Sequence, residues 1–191
     1  MKRLNFSLVG DTPLIMHADT MVDPFHPLTR EKKKLTSKKA NKTEDDLRRI
    51  DAIEFQAGLY MHETLGPVIP GANIDRMIVD AAKRTKNGSK AKMGLQAAED
   101  YFPLQYAGPR DSESLANDPR FQFRKSIKQG MSRIMRVRPW FHDWKLDIAV
   151  DYDEKIFDRD DILSFMTTAG QYVGLCDWRP RYGRFSIGKV S

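Results

Sequence analysis

The sequence is short of everything that a secreted, stapled or membrane-spanning protein relies on. It holds one cysteine, Cys176. A disulfide scaffold is therefore excluded and a reducing, cytoplasmic setting is expected. No run approaches the ~18 apolar residues of a membrane span. Asp11 and Pro13 interrupt any apolar segment following Met1-Lys2-Arg3, so no export signal is expected. There is no G-x-x-x-x-G-K-[ST] phosphate loop, no G-x-S-x-G elbow and no H-E-x-x-H pair, which leaves nucleotide hydrolysis and the standard hydrolases without support. His26, His62 and Cys176 have no partners at zinc-ligand spacing. The acidic stretch Asp151 to Asp161 lacks the glycine and spacing of a calcium loop. No metal and no cofactor are expected.

What is present is a core and an uneven charge. The 191 residues include 19 aromatics, enough with the many Ile, Leu and Val to exclude disorder throughout, and the length suits a single domain spanning 1–191. The formal charge of +6 is concentrated in blocks. Residues 30–42 carry a net +6, 83–92 a net +5, 120–138 a net +7 and 178–191 a net +4, whereas 143–161 carry a net −5. Four basic blocks suggest an anionic polymer lying in a basic groove. The bland alternative is four unrelated solvated surfaces.

Leu4, Phe6 and Leu8 alternate with polar residues as a strand does. Residues 17–42 are polar and lysine-rich, and read as a long mobile loop within an insertion of about 17–65. Thr43 with Asp46 forms a capping pattern for a helix to about Gln56, and Gly58 to His62 is a short strand candidate. Asn73 is expected to cap an amphipathic helix whose stripe is Ile74, Met77, Ile78, Ala81 and Ala82. Basic or polar loops follow at about 85–94 and 108–120, on either side of a strand from Tyr101 to Tyr106. Residues 121–128 and 132–138 suit a hairpin around Gly130. If Met135 and Val137 face inward, Arg136, Arg138 and Trp140 share the opposite face, a surface suited to a nucleic-acid strand or to guarding an edge against aggregation. Leu146 to Tyr152 alternates as a half-buried strand. Asp158 with Asp161 caps a last helix, Gly174 suits its left-handed end, and Phe185 and Ile187 mark a final strand. Without its loops the chain reads as an α+β, ferredoxin-like or RRM-like βαββαβ domain with a long basic insertion after the first strand.

The most informative segment is Gly174-Leu175-Cys176-Asp177-Trp178-Arg179-Pro180-Arg181-Tyr182-Gly183-Arg184-Phe185. Its glycines let backbone approach a phosphate, its arginines supply charge-assisted contacts, and Trp178 and Tyr182 suit base stacking. The plain structural reading of Trp178 is a cap on the core at a helix-to-strand turn. This segment resembles the glycine-rich loop of the RAMP superfamily, the RRM-like proteins of CRISPR systems. Val68-Ile69-Pro70-Gly71-Ala72-Asn73-Ile74 is similar to the lead into the first conserved helix of that superfamily, and Thr12-Pro13-Leu14-Ile15-Met16-His17 to the end of its first strand. The last loop has only two glycines, Gly174 and Gly183, where the superfamily often has more, and the chain holds one ferredoxin-like unit where processing nucleases often hold two.

The insertion resembles the thumb-like insertion of guide-RNA-coating backbone subunits. That branch implies binding of single-stranded RNA, with copies associating along the strand as a homo-oligomer or within a larger complex. Candidate nucleic-acid contacts are Lys32, Lys33, Lys34, Lys38, Lys39, Lys83, Arg84, Lys86, Arg124, Lys128, Arg136, Arg138, Trp178, Arg179, Arg181, Tyr182 and Arg184. A second reading is an endoribonuclease of the same superfamily, with His17 as general acid or base or with Asp19 and Asp23 holding a divalent ion. A third is an interaction protein, encoded by a phage, that contacts or mimics a defence complex. A mimic of nucleic acid should be acidic, which the lysine-rich stretch opposes. The residues do not separate RNA from single-stranded DNA.

Overall fold

The computed structural model describes residues 1–38 and 41–191, and nothing of the Gln129 side chain. In chain order its elements are β1 (Lys2–Gly10), β2 (Leu14–Ile15), α1 (Pro27–Ser37), α2 (Glu44–Gly58), β3 (Met61–His62), β4 (Gly66–Pro70), α3 (Gly71–Ala82), α4 (Gly88–Gly94), β5 (Leu95–Ala97), β6 (Tyr101–Pro103), α5 (Ser112–Asn117), β7 (Gln122–Gln129), β8 (Ser132–Phe141), β9 (Lys145–Tyr152), α6 (Arg159–Thr168) and β10 (Phe185–Val190). The fold is α+β, of a kind consistent with a ferredoxin-like or RRM-like superfamily. No described helix is long and apolar enough to cross a membrane.

The chain divides into two compact units. Unit 1 comprises 1–14, 62–107 and 141–191, and unit 2 comprises 15–61 and 108–140.

Unit 1 is built on an antiparallel sheet of order β10-β1-β9-β5. Leu4, Phe6 and Leu8 of β1 and Leu146, Ile148 and Val150 of β9 are buried on one face of it. The stripe Ile74, Met77, Ile78 and Ala81 of α3 is buried too, as are Ile162, Phe165 and Met166 of α6. Each large side chain so buried contributes about 1.5–3 kcal/mol. Asp158 caps α6 reciprocally with Asp161, as the spacing requires.

Three expectations change here. Residues 85–94 are not simply a loop, because Gly88–Gly94 forms α4, and Gly94 packs against Ile156 where a larger residue would crowd it. One edge strand of the sheet is β5, immediately after α4, whereas the expected strand is reduced to Tyr101–Pro103, which pairs with β4 in a separate small sheet, and Gln105 beyond it makes an isolated bridge to Lys145. Asn73 does not cap α3. The cap position is Pro70, three residues earlier, and the helix begins at Gly71, whose N–H donates to the carbonyl of Asp100 at 2.7 Å.

Unit 2 holds α1, α2, α5 and the β7–β8 hairpin. Thr43 and Asp46 make the expected reciprocal cap of α2, and Ile53, Phe55, Ala57, Leu115, Phe121, Phe123 and Val137 are buried. The stretch 17–42 is not a continuous loop. Pro27 occupies the first turn of α1, and His26 Nδ1 accepts from the Leu28 N–H at 3.2 Å. No residue of α1 is fully buried, so it leaves no apolar periodicity in the sequence; ion pairs to α2 hold it instead, Lys32 to Glu54 and Arg49 to Glu31. Residues 108–120 likewise contain a helix, α5, capped by Asp111. The hairpin forms with Lys125 opposite Arg136 and Phe123 opposite Arg138. Val137 is buried as expected, but Met135 is half-exposed rather than inward.

Candidate nucleic-acid interface

The four basic blocks fall two to each unit: 83–92 and 178–191 in unit 1, 30–42 and 120–138 in unit 2.

In unit 1 the segment 174–184 lies along α3 and is held at several points. The Asn73 side-chain amide donates to Cys176 Sγ at 3.7 Å, which is where the expected cap residue spends its side chain. Arg179 Nη2 reaches Asp80 Oδ2 at 3.5 Å. The N–H of Gly183 donates to the Pro13 carbonyl at 2.9 Å, and that of Arg184 to Thr12 Oγ1 at 2.9 Å. Three stretches far apart in sequence, 12–13, 73 and 174–184, therefore meet. The path needs left-handed backbone at Cys176 (φ 62) and Trp178 (φ 56) and positive φ at Gly174 and Gly183. Gly174, at φ 78 and ψ 170, is in the mirror-extended region rather than the left-handed helical one expected. At Gly183 no side chain fits, since a Cβ there would stand 2.0 Å from the Leu175 carbonyl oxygen. Non-glycine residues at positive φ concentrate strain, which persists where the surroundings hold it.

Asp80 organises the cations of this unit. It accepts from Lys83 at 2.7 Å and from Arg76 at 2.9 Å, besides its contact with Arg179. Burial alone would raise its pKa, but the hydrogen bonds from Lys83 and Arg76 outweigh that and hold the carboxyl below its ordinary range. Three cations share one carboxylate and leave a positive surplus. Arg84 stands over the Tyr172 ring at 4.9 Å, and Arg181 over Tyr182 at 5.8 Å. Trp178 and Tyr182 have ring centroids 6.4 Å apart. Arg84, Lys86, Arg181 and Arg184 are exposed. The Cys176 residue is half-buried but its sulfur is enclosed, and burial pushes the thiol up to about 12.

In unit 2 the corresponding carboxylate is Glu54, whose side chain is 7% exposed. It accepts from Lys32 Nζ at 2.6 Å, from Arg136 Nη1 and from the Val137 N–H at 3.4 Å. Above it is a cavity of about 340 Å³, lined among others by His17, Lys32, Lys128, Arg136 and Arg138. The face shared by Arg136, Arg138 and Trp140 is therefore not an open sheet surface. Its arginines line a cavity, and Trp140 packs edge-on against Phe123 at 5.2 Å. His17 is exposed as a residue, yet partial desolvation of its ring and the nearby Arg138 and Arg136 lower its pKa, with Glu54 opposing. It is neutral at pH 7. Lys38 pairs with Asp46 at 2.6 Å and Arg124 with Asp51 at 2.7 Å. Lys33 and Lys34 are exposed on α1, and Lys128 is exposed on β7. Lys39 lies outside the described residues. Asp19 and Asp23 are exposed, and Asp23 is occupied locally, accepting from the Phe25 N–H at 2.8 Å. Among the described residues no three or more His, Cys, Asp or Glu side chains stand close enough to hold an ion together.

Sequence reasoning missed Glu54, Asp80, Arg76 and the clamp by Asn73. Asp80 was readable, since it lies four residues after Arg76 and three before Lys83 on one helix face. Glu54 was not, because its cations come from 22 residues before it and 82 after it.

No family model and no curated protein matches the chain. Among solved structures it is similar in fold to a chain of the type III-B Cmr-beta bound to cognate target RNA, determined by cryo-EM. The TM-score is 0.54 at 9% sequence identity. The match takes in 99% of this chain and 59% of that one, so this protein spans little more than half the length of the chain it resembles.

Proposed function

We propose that this protein binds single-stranded RNA as a RAMP-type protein of the backbone-subunit kind, with copies associating along the strand. In this reading β1, α3, β5, β9, α6 and β10 are the βαββαβ unit, which the sheet order β10-β1-β9-β5 supports. The observation that carries the reading is the meeting of 12–13, Asn73 and 174–184 in unit 1. A constrained backbone there presents Arg181, Arg184, Trp178 and Tyr182 beside the cations of α3. Cations held in place by a carboxylate lose less freedom when they meet a phosphate, and adjacent aromatic rings give bases a surface on which to stack. The fold shared with a chain of an RNA-bound type III-B structure is in keeping with it.

The test is binding of labelled single-stranded RNA, single-stranded DNA and duplex at several salt concentrations. Neutralising about five phosphates on a single strand gives a log–log salt slope of about −3.5, or roughly 100-fold weaker binding at 200 mM than at 50 mM salt. RNA should bind best, and size-exclusion chromatography should show larger species when it is added. A monomer that ignores RNA at 50 mM salt refutes the proposal.

RNA cleavage is the second reading. It is favoured by one observation, a neutral His17 beside Arg136 and Arg138, which is the protonation state a general base needs. His17→Ala should then abolish cleavage while leaving binding intact.

A further inference from the structure

A cavity wholly within unit 1 lies where α3, α4 and β5 meet, and its volume is about 440 Å³. That is within the ~300–1,000 Å³ of small-molecule sites. Asp75, Val79 and Lys83, four residues apart along α3 and its C-cap, line it together with Arg76. Lys92 and Met93 of α4 and Leu95 of β5 contribute to the rest. Val79 and Leu95 are buried, whereas Met93 is 73% exposed, a flexible thioether free to close over a flat ring.

The polar groups are of two kinds. Asp75 Oδ1 accepts from the Ala97 N–H at 2.6 Å and so satisfies a backbone donor of the edge strand β5. Its Oδ2 has no hydrogen-bond partner among the described residues. Burial raises the carboxyl's pKa, against the Ala97 hydrogen bond that lowers it. A half-buried carboxylate oxygen without a donor is costly, and a ligand N–H relieves the cost. The cations are the second kind. Arg76 and Lys83 share Asp80 with Arg179, three cations on one carboxylate. Lys92 is exposed and forms no ion pair among the described residues. An acceptor, an apolar floor and surplus cations therefore line one space. A bare phosphate leaves Asp75 and the floor unused, and an apolar compound leaves the charges unused. A heterocyclic base with N–H groups on its edge, joined to a phosphate, uses all three.

We propose that this cavity binds a single nucleotide unit, its base donating to Asp75 and packed against Val79, Leu95 and Met93, and its phosphate on Lys92, Lys83 and Arg76. Guanine is the favoured base. It carries adjacent N–H donors on one edge, and a carboxylate has lone pairs for both. Uracil carries one N–H between two carbonyl oxygens, which a carboxylate repels. The unit comes either from a free nucleoside monophosphate or from a bound strand, and only the second source rests on the RNA-binding reading above.

Calorimetric titration of the full chain with the four nucleoside monophosphates, the matching nucleosides and inorganic phosphate tests this. Guanosine monophosphate should bind about tenfold more tightly than uridine monophosphate, guanosine or phosphate, the difference made by one hydrogen bond to a charged group. Asp75→Asn keeps an acceptor for the Ala97 N–H and turns the other oxygen into a donor. It should erase the preference for guanine while uridine monophosphate binds no worse. Lys92→Gln, a change at an exposed side chain, should weaken every monophosphate by about 3- to 10-fold and leave the nucleosides unchanged. Far-UV circular dichroism checks that both variants fold. Competition with labelled RNA identifies the source. If excess guanosine monophosphate displaces RNA from the wild type, the unit belongs to the strand; if both bind independently, the ligand is the free nucleotide. Another base bound as tightly as guanine, nucleosides or phosphate bound as tightly as monophosphates, an unchanged profile in either folded variant, or no saturation at ~1 mM overturns the proposal. RNA binding without monophosphate binding removes this site alone, and monophosphate binding without RNA binding removes the reading of the previous section alone.

Discussion

Glu54→Gln isolates the electrostatic centre of unit 2. The side chain is 7% exposed, and the two cations that donate to it, Lys32 and Arg136, are 22% and 30% exposed. The amide keeps the shape and one acceptor oxygen but removes the charge, so Lys32 and Arg136 lose the carboxylate that they share. Removing one partner of a fully buried pair costs about 3–5 kcal/mol. Both cations reach solvent and can partly rehydrate, which reduces the expected loss to about 2–3 kcal/mol. For a chain of this size each kcal/mol is worth roughly 2–4 °C in Tm, so calorimetry should record a fall of about 4–12 °C. Because the charges are mostly, though not wholly, withdrawn from solvent, raising the salt concentration should recover only a small part of it. Replacing Glu54, Lys32 and Arg136 together by methionine should cost less than the single change, since the carboxylate and the two cations that donate to it are then removed together. A Glu54→Gln variant within ~0.5 kcal/mol of wild type would behave as an ordinary surface substitution. That result would refute the assignment of Glu54 as the group that ties α1, α2 and β8 together.

Gly183→Ala should destabilise by more than the ~1–2 kcal/mol of left-handed strain, because a Cβ at this position meets the Leu175 carbonyl oxygen at 2.0 Å. Gly183→Asn should not rescue it, although Asn tolerates positive φ; if Asn restores thermal stability, the close approach is not what requires glycine. Cys176, with its thiol pushed up to about 12 by burial, should resist a thiol reagent at pH 8 in the native protein and react at once in denaturant; rapid native labelling would contradict the enclosure. His17 has its pKa lowered in the folded state, so between its ordinary ~6.5 and that lower value the unfolded chain takes up a proton that the native state refuses. Its contribution to stability is whole above that window, is lost as pH falls through it and is constant below. Denaturant titrations of His17→Gln should show a smaller fall over that interval than the wild type, and equal pH dependence would mean that the ring is not desolvated.

What could be read from the sequence divides along a physical line. β1 and β9 were legible because one face of each is buried, which imposes alternation, and β10 because Phe185 is buried and Ile187 partly so. The starts of α2 and α6 were legible because a capping box is a local pattern of four residues. α1 was not, since it buries no residue completely and is held by charge pairs, which impose no period. Nor was β5, whose three residues are too few to alternate. The displaced start of α3 has a specific cause. Asn73 looks like a cap and has a cap's chemistry, but its amide is taken up 103 residues along the chain by Cys176. Non-local partners override local preference wherever they satisfy the same group better.

The basic blocks follow the same logic and bear on the two meanings of the +6 charge. A merely solvated lysine or arginine keeps its side-chain entropy and has no need of a carboxylate drawn out of water. Here Asp80 and Glu54 are each withdrawn from solvent and each draws cations from separate parts of its unit: Arg76, Lys83 and Arg179 around one, Lys32 and Arg136 around the other. The carboxylates are fewer than the cations they gather. They therefore fix the positions of the positive groups without cancelling their charge, and a fixed surplus of cations is more selective for a phosphate than the same cations on freely moving side chains. Aspartate and glutamate counted in the composition as a subtraction from the charge act in the structure as its scaffold. Asp80→Asn should accordingly weaken RNA binding even though it makes the protein more positive, whereas neutralising an exposed acid such as Glu63 should strengthen binding slightly. Stronger binding by Asp80→Asn would restore the view of four independent solvated surfaces.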